Sequence, residues 1–241
     1  AHPGKRILEA KQRILFQLGT QAFANTQFEQ AIGYFDRSLG LGQYNRQTKA
    51  DALYWRGEAY YRLNRMEEAK RNFTDYLQLT QQTHNEMYAL AHYNLGYIAF
   101  HQKDYTQAQN WFRKYISLEK GENKTALADA YNRIGDCYLD VRNFDEAKHY
   151  YSQAEAMNTP SGDYSFYQLA LVSGLQKDYS GKITLLNRLA GKYPASPYAI
   201  SALYEKGRSY VLMDNNQQAI ASFKELLAKY PESPVSRKAA A

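Results

Sequence analysis

The chain has 241 residues, of which 44% are hydrophobic and 22% charged, a balance that excludes a disordered chain and a membrane-spanning bundle. The formal net charge is +6, but no segment carries a concentrated basic stripe and residues 128–162 are net acidic. We therefore expect no nucleic-acid partner, because such a footprint is clustered on one face. The single cysteine, Cys137, excludes an internal disulfide and a multi-cysteine zinc site.

A signature of three residues recurs along the chain at intervals of 35 to 39 residues. A small residue is followed by alanine twelve positions later and by an aromatic residue sixteen positions later. In a pair of antiparallel helices, small residues permit close approach and the aromatic ring fills the adjacent space. Five copies are complete and begin at Gly19, Gly57, Gly96, Gly135 and Gly207. The remaining copy is imperfect, with Ala170 followed by Lys182 and Leu186.

Each copy predicts two amphipathic helices joined by a short polar break. The predicted repeats cover approximately residues 12–45, 50–81, 89–120, 128–159, 163–194 and 200–231, and residues 232–241 begin a seventh, truncated helix. A helix pair cannot bury its apolar faces alone, so neighbouring pairs must stack. We therefore expect an all-α fold in which residues 1–241 form a single array, loosest at residues 155–165.

The pattern of small residue, alanine and aromatic residue resembles the tetratricopeptide repeat (TPR) family over roughly residues 12–231. This resemblance implies a right-handed α-α superhelix, or TPR solenoid, that acts as a non-catalytic scaffold for a protein or peptide partner. The fifth repeat departs from the family, because Lys182 stands where alanine is usual. We expect neighbouring Gly181 to provide the close contact there. In the sixth repeat, Asn216 replaces the loop aromatic.

In the TPR family, first helices line a concave groove, and this implies a set of partner-binding positions. One position lies three residues before the small residue, a second lies one residue after it, and a third lies further along the helix. The predicted groove residues are Phe16, Tyr54, Glu58, Arg62, Tyr93, Tyr97, His101, Asn132, Asp136, Tyr167, Tyr204 and Arg208. Tyrosine suits a half-wetted binding surface, but rings at helical spacing also serve as core, and the sequence leaves both possibilities open.

The last two repeats end in related segments, Tyr193-Pro194-Ala195-Ser196-Pro197 and Tyr230-Pro231-Glu232-Ser233-Pro234. These segments resemble exported bacterial TPR proteins of the cell envelope, of the outer-membrane-assembly lipoprotein and Tol–Pal-associated types. The resemblance implies a periplasmic or outer-membrane-associated protein, and a cytoplasmic one is the alternative. We expect the chain to be an excised piece of a longer protein whose missing segments permit peripheral association with the outer membrane.

No arrangement of catalytic or metal-binding residues is present in the sequence. The five histidines form no HExxH motif or i, i+4 pair, and Gly181-Lys182 lacks the spacing of a phosphate-binding loop. Cys137 is interpreted as a buried, inert thiol. We expect no enzyme activity, no cofactor and no metal. Self-assembly through an end helix is the alternative to partner binding, and a nucleic-acid-binding solenoid is a third hypothesis.

Overall fold

The structure is a computed structural model that describes residues 3–42 and 44–240. Within those residues all regular secondary structure is α-helical, in thirteen helices. They are α1 (Pro3–Ala24), α2 (Phe28–Gly40), α3 (Arg46–Arg62), α4 (Met66–Thr80), α5 (Tyr88–His101), α6 (Tyr105–Leu118), α7 (Lys124–Asp140), α8 (Phe144–Ala156), α9 (Gly162–Leu175), α10 (Tyr179–Lys192), α11 (Ala199–Leu212), α12 (Asn216–Lys229) and α13 (Pro234–Ala240).

Helices α1 to α12 pair into six consecutive hairpins, each made of a first helix and a second helix in extensive contact. These hairpins confirm the six predicted repeats and the all-α fold class. Helix α1 begins at Pro3, well before the predicted start of the first repeat at residue 12. Helix α13 packs on α11 and α12, and it occupies the segment predicted to begin a seventh helix, except for Ala241, which lies outside the described residues.

The small residue of each complete signature lies against the aromatic ring sixteen positions later, as predicted. A Cβ atom added to Gly96 would come within 2.8 Å of the Phe112 ring, and one added to Gly57 within 3.0 Å of the Phe73 ring. Real Cβ atoms essentially never approach as closely as 2.8 Å, and 3.0 Å is tighter than nine in ten real Cβ contacts, so the ring occupies the space that a larger residue would need. The contact therefore explains why glycine stands at these helical positions despite its low helix propensity.

The prediction that Gly181 replaces the close contact of the fifth repeat is wrong. The three atoms nearest to a Cβ added at Gly181 belong to the Asp178 side chain of the same hairpin, whose Oδ1 accepts a hydrogen bond from the Gly181 backbone N–H at 3.0 Å. The methylene chain of Lys182 instead packs against Gly174 on α9, where an added Cβ would lie 2.9 Å from Lys182 Cδ. Its ammonium group then reaches Glu205 Oε2 at 2.7 Å. A buried lysine is tolerated at the alanine position because the charge is paired.

The chain divides into two compact units, Ala1–Leu118 and Glu119–Ala241. Unit 1 contains α1 to α6 and has a core that includes Leu53, Phe73 and Leu95. Unit 2 contains α7 to α13 and has a core that includes Tyr151 and Leu186. Residues 155–165, which the sequence predicted to be the loosest joint, lie inside unit 2. Among the described residues, no helix combines the length and apolarity needed to cross a membrane.

Candidate functional site

All twelve predicted groove residues lie on first helices. Seven of them are in unit 1, on α1 (Phe16), α3 (Tyr54, Glu58, Arg62) and α5 (Tyr93, Tyr97, His101). Five are in unit 2, on α7 (Asn132, Asp136), α9 (Tyr167) and α11 (Tyr204, Arg208). We describe the two units separately.

Helices α3 and α5 of unit 1 border an open cleft of about 320 Å³ that contains four of the predicted residues. We call it the Tyr93 cleft, and its lining residues are Glu58, Tyr61, Arg62, Leu90, Tyr93, Asn94 and Tyr97. The cleft therefore combines three phenol rings and a leucine with one carboxylate, one guanidinium group and one amide. Binding clefts in proteins share this composition, in which apolar walls carry a few polar groups.

A small hydrogen-bond network holds the Glu58 carboxylate at one side of the cleft. The Tyr54 hydroxyl donates to Glu58 Oε1 at 2.9 Å, and the Asn94 amide donates to the same oxygen at 2.6 Å. Burial, followed by the charge of Glu58, raises the pKa of Tyr54, so the phenol remains a proton donor. The carboxylate orientation is thus determined by groups on both helices.

Tyr54 is itself part of the core and not an open groove residue, because only 1% of its surface is exposed. Its ring lies 5.3 Å from the Trp55 ring and 5.4 Å from the Tyr76 ring. The prediction that Tyr54 contacts a partner directly does not agree with this burial. Its contribution to the cleft is to position Glu58.

Tyr93 and Tyr97 form a half-buried aromatic wall on α5. Their ring centroids are 5.1 Å apart with the planes at 71°, and both rings pack against the buried Phe112. His101 extends this wall, since its Nε2 lies 2.9 Å from the Tyr61 hydroxyl. Rings held from behind in this way provide contact area to a ligand at little further cost in side-chain entropy.

Arg62 is the exposed cation of the Tyr93 cleft. Its guanidinium carbon lies 5.6 Å from the centre of the Phe23 ring, and it forms no salt bridge with any residue in the described ranges. An unpaired guanidinium group beside aromatic walls can bind a carboxylate through two parallel hydrogen bonds.

A second cleft of about 320 Å³ lies where α1 meets the start of α3. Phe16 is one of its walls, and the charged groups at its surface are Arg13 and Asp51. Burial, with a smaller effect from the charge of Glu86, raises the pKa of Asp51. Phe16 is therefore a half-buried wall residue, as the sequence predicted, although it lies in a separate cleft from Tyr93.

In unit 2, Asp136 is the centre of a partly buried polar cluster. Its Oδ1 accepts hydrogen bonds from the hydroxyls of Tyr151 and Tyr164, and its Oδ2 lies 3.1 Å from Arg133 Nη1. Burial is the largest influence and raises the pKa of Asp136, although Arg133 and both hydroxyls act in the opposite direction. Every contact of this carboxylate is with its own unit, which is the pattern of a structural network.

Asn132 is fully buried, with no exposed surface, so it cannot line an open groove. Its Oδ1 accepts a hydrogen bond from the Ser165 hydroxyl at 2.8 Å, while its Nδ2 has no partner among the described residues. The repeat register predicted a surface position here, whereas α9 packs on α8 and its Ser165 contacts the Asn132 side chain.

Tyr167, Tyr204 and Arg208 remain at least partly accessible on α9 and α11. The Tyr167 ring stacks on the Tyr198 ring with centroids 5.2 Å apart, and Arg208 lies 5.9 Å from the centre of the Tyr204 ring. Arg208 also pairs with Glu205 at 3.1 Å. Unlike Arg62 in unit 1, Arg208 therefore has a carboxylate partner on its own helix, which it shares with Lys182.

Three residues of the Tyr93 cleft are not among the predicted groove residues, namely Tyr61, Leu90 and Asn94. A signal for Asn94 was available, since it lies two positions before the small residue. The same position in the other repeats is occupied mostly by polar side chains, Gln17, Arg133, Gln168 and Glu205. Tyr61 and Leu90 carry no comparable pattern, because their place in the cleft depends on how α3 packs against α5.

The described residues contain no group of three or more metal-ligating side chains. Cys137 is buried, as predicted, and burial raises the pKa of its thiol to about 12. The thiol is therefore protonated near neutral pH and is a poor nucleophile.

Stacked antiparallel helix pairs with an open cleft between successive first helices define a helical-hairpin repeat protein. Models of the tetratricopeptide repeat match residues 16–70 and 132–197, residues 87–159, and residues 201–233. The chain belongs to the tetratricopeptide repeat family.

Among curated proteins, the chain is similar to the uncharacterized protein ycf37 of Guillardia theta, with 40% identity over 62 residues. The similarity covers 26% of this chain and 35% of ycf37, so it spans about a third of that relative's length.

Three solved structures share the fold over most of the chain. PilF of Pseudomonas aeruginosa is 16% identical with a TM-score of 0.66, and the match covers 96% of this chain and 97% of PilF. PilW, described as a widely conserved type IV pilus biogenesis factor, is 17% identical with a TM-score of 0.66 and coverage of 95% and 98%. YrrB, described as a TPR protein with an unusual peptide-binding site, is 15% identical with a TM-score of 0.63 and coverage of 86% and 97%.

Proposed function

We propose that this chain is a non-catalytic scaffold that binds a peptide segment of a partner protein in the Tyr93 cleft. The observation that carries the proposal is the open cleft of about 320 Å³ in which the rings of Tyr93 and Tyr97 adjoin an unpaired arginine. The expected ligand is a segment with an apolar side chain next to an acidic one. The apolar group would contact the rings and the carboxylate would pair with Arg62.

Membership of the TPR family supports this proposal, because the family generally forms scaffolds for other proteins. The peptide-binding site named for YrrB supports it further, since that protein has the same fold. Within the described residues, the absence of a metal-ligating cluster and the raised pKa of Cys137 offer no support for catalysis.

The proposal is tested by selecting binders from a random 12-residue peptide library on the immobilised protein. A selected peptide is then synthesised with a fluorophore and titrated by fluorescence anisotropy. We expect Tyr97→Ala and Arg62→Ala each to weaken binding by about 2 kcal/mol, or roughly thirtyfold, as for a residue that dominates an interface. Peptides bearing Asp or Glu beside an apolar residue should be enriched.

Tyr105→Ala is the matched control, because this half-buried tyrosine lies on the second helix α6 and outside the cleft. Its affinity for the peptide should equal that of the wild type. If Tyr97→Ala lowers the thermal midpoint and leaves the affinity unchanged, the ring is core and the cleft is not the peptide site.

We also propose that the protein acts at the bacterial cell envelope. The Tyr-Pro-x-Ser-Pro segments that resemble envelope TPR proteins support this location, as does the fold shared with a type IV pilus biogenesis factor. Fractionation of cells expressing the natural full-length protein should place it with the periplasm or outer membrane. Recovery in the cytoplasmic fraction alone would contradict the proposal.

A further inference from the structure

Helix α1 of unit 1 carries three large apolar side chains that remain exposed. Ile7 is 67% exposed, Ile14 is 55% exposed and Leu18 is 37% exposed. Their spacing of seven and four residues places them along one side of the helix, and we call them the α1 stripe. Where a repeat stack ends, it normally presents a polar outer face to water, whereas α1 exposes these three apolar side chains.

The repeat register shows what normally covers this side of a first helix. Ile14 lies five positions before Gly19, and the equivalent residues Ala52, Ala91 and Ala202 are buried. Each of these alanines packs in a core with residues of the preceding second helix, α2, α4 or α10. The α1 stripe therefore occupies the position at which the stack would receive another helix.

The charges on α1 indicate what kind of helix fits there. The helix carries Lys5, Arg6, Lys11 and Arg13 against the single acid Glu9, a net charge of +3. None of these four cations forms a salt bridge within the described part of the chain. An exposed apolar stripe on a helix with a net charge of +3 is complementary to an amphipathic helix whose polar side is acidic.

We propose that the α1 stripe is a second docking surface, which binds an acidic amphipathic helix of a partner protein. The stack geometry favours a helix over a lipid bilayer, because Ala52 and Ala91, the equivalents of Ile14 in the same unit, each pack against the preceding second helix. The unpaired cations disfavour a second copy of this chain, because two α1 helices placed side by side would repel each other. The proposal does not depend on the Tyr93 cleft, which lies on α3 and α5.

Two synthetic 18-residue peptides test the proposal. Both have leucine at helical spacing on one side, and one carries glutamate and the other lysine at all remaining charged positions. We expect the glutamate peptide to bind at least tenfold more tightly than the lysine peptide in fluorescence anisotropy titrations at low salt. Ile14→Asn and Leu18→Asn should each weaken binding of the glutamate peptide at least fivefold.

Ile220→Asn is the matched control, because Ile220 on α12 is 54% exposed, almost the same as Ile14. This variant should bind the glutamate peptide as the wild type does. Circular dichroism and the thermal midpoint verify that each variant is folded.

Four results of the peptide titrations and of light scattering would overturn the proposal. They are the absence of binding, equal affinity for both peptides, loss of binding in Tyr97→Ala with Ile14→Asn unaffected, and a dimer in light scattering that Ile14→Asn dissociates. Binding of wild-type protein, but not of Ile14→Asn, to vesicles of anionic phospholipid in the absence of peptide binding would also overturn it in favour of a membrane surface.

Discussion

At each hairpin contact, one neighbouring aromatic ring leaves no space for a residue larger than glycine. We predict that Gly96→Ala destabilises the protein by about 1–2 kcal/mol. The new Cβ would lie 2.8 Å from Phe112, and the resulting overpacking outweighs the gain of about 1 kcal/mol in helix propensity. Urea unfolding followed by circular dichroism measures the change.

The chain itself provides the control and the rescue for this prediction. Gly33 in α2 has nothing within 4 Å of an added Cβ, so Gly33→Ala should raise stability by about 1 kcal/mol. The fifth repeat combines Ala170 with Leu186 at the same two positions. The double change of Gly96→Ala with Phe112→Leu should therefore cost less than the sum of the two single changes, and strict additivity would contradict the proposed clash.

His92 predicts a pH dependence of stability. It is 4% exposed, its Nδ1 donates to the Tyr88 carbonyl at 2.8 Å, and burial lowers its pKa below the ordinary value of 6.5. The unfolded chain then binds more protons near and below pH 6.5, so the contribution of neutral His92 is complete above that pH and is lost as the pH falls.

The urea midpoint should therefore decrease from pH 7.5 to pH 5.5, and the decrease should be smaller in His92→Gln. His149 is exposed and provides the matched control, so His149→Gln should retain the wild-type pH dependence of the urea midpoint. Identical slopes for His92→Gln and the wild type would show that other groups cause the effect.

At the level of elements, the six hairpin turns share one backbone conformation. The residue two positions before each second helix has a positive φ, between 58° and 63°, at Thr26, Asn64, Lys103, Arg142, Lys177 and Asp214. The next backbone N–H donates to a carbonyl five residues earlier, for example Asp104 to Ala99 at 2.9 Å. This is the Schellman arrangement that ends a helix, and it reverses the chain direction in the same way in every hairpin.

Helix capping differs between hairpins, and this predicts a stabilising change in α2. Asp178 and Asn215 cap α10 and α12 through side-chain hydrogen bonds, whereas Gln27 before α2 makes none. The Gln27 backbone, with φ −92° and ψ 70°, closely matches Asp178 at −89° and 76°. Gln27→Asn should therefore add about 1 kcal/mol to the unfolding free energy.

Thermal and urea unfolding of Gln27→Asn measure this gain. Gln30→Asn is the control, because this residue lies inside α2 and its side chain cannot cap the helix. Asparagine is a poorer helix former than glutamine, so Gln30→Asn should lower the unfolding free energy by about a few tenths of a kcal/mol. Equal effects of the two changes would exclude capping as the cause.

At the scale of the whole molecule, the division at Leu118 predicts where a protease cuts first. Residues 120–123 are exposed and lie outside any helix, whereas the segment 155–165 contains the buried Thr159, Gly162 and Ser165. Limited digestion with subtilisin should therefore release two fragments of roughly 120 residues each, identified by mass spectrometry. A first cut within residues 155–165 would contradict this expectation.

We retain as a proposal that the six repeats form one continuous array. If they do, the two fragments should remain together in size-exclusion chromatography under native conditions and separate only in denaturant. Fragments that elute apart in native buffer would instead indicate two independent domains.

The part of the site that the sequence predicted is the part determined by local register. Tyr93 and Tyr97 are half-buried on α5 and line an open cleft, as their positions relative to Gly96 indicated. Tyr54 has the same position relative to Gly57 but is 1% exposed. Both rings pack on a tyrosine of their own repeat, Tyr76 for Tyr54 and Tyr115 for Tyr93. The Tyr54 hydroxyl in addition accepts a hydrogen bond from Asn94 of the next repeat at 3.0 Å, and no pattern within one repeat specifies such a neighbour.

The sequence by itself determined the six helix pairs, their boundaries within a few residues apart from the start of α1, and the contact between each glycine and its ring. These features depend on residues at most sixteen positions apart, so helical periodicity and side-chain size are sufficient to specify them. The tertiary structure alone decided which aromatic side chains are core, which cations remain unpaired and where Lys182 finds its partner. Those outcomes depend on side chains from adjacent repeats, and burial is a property of the packed neighbours rather than of the residue's own position in the chain.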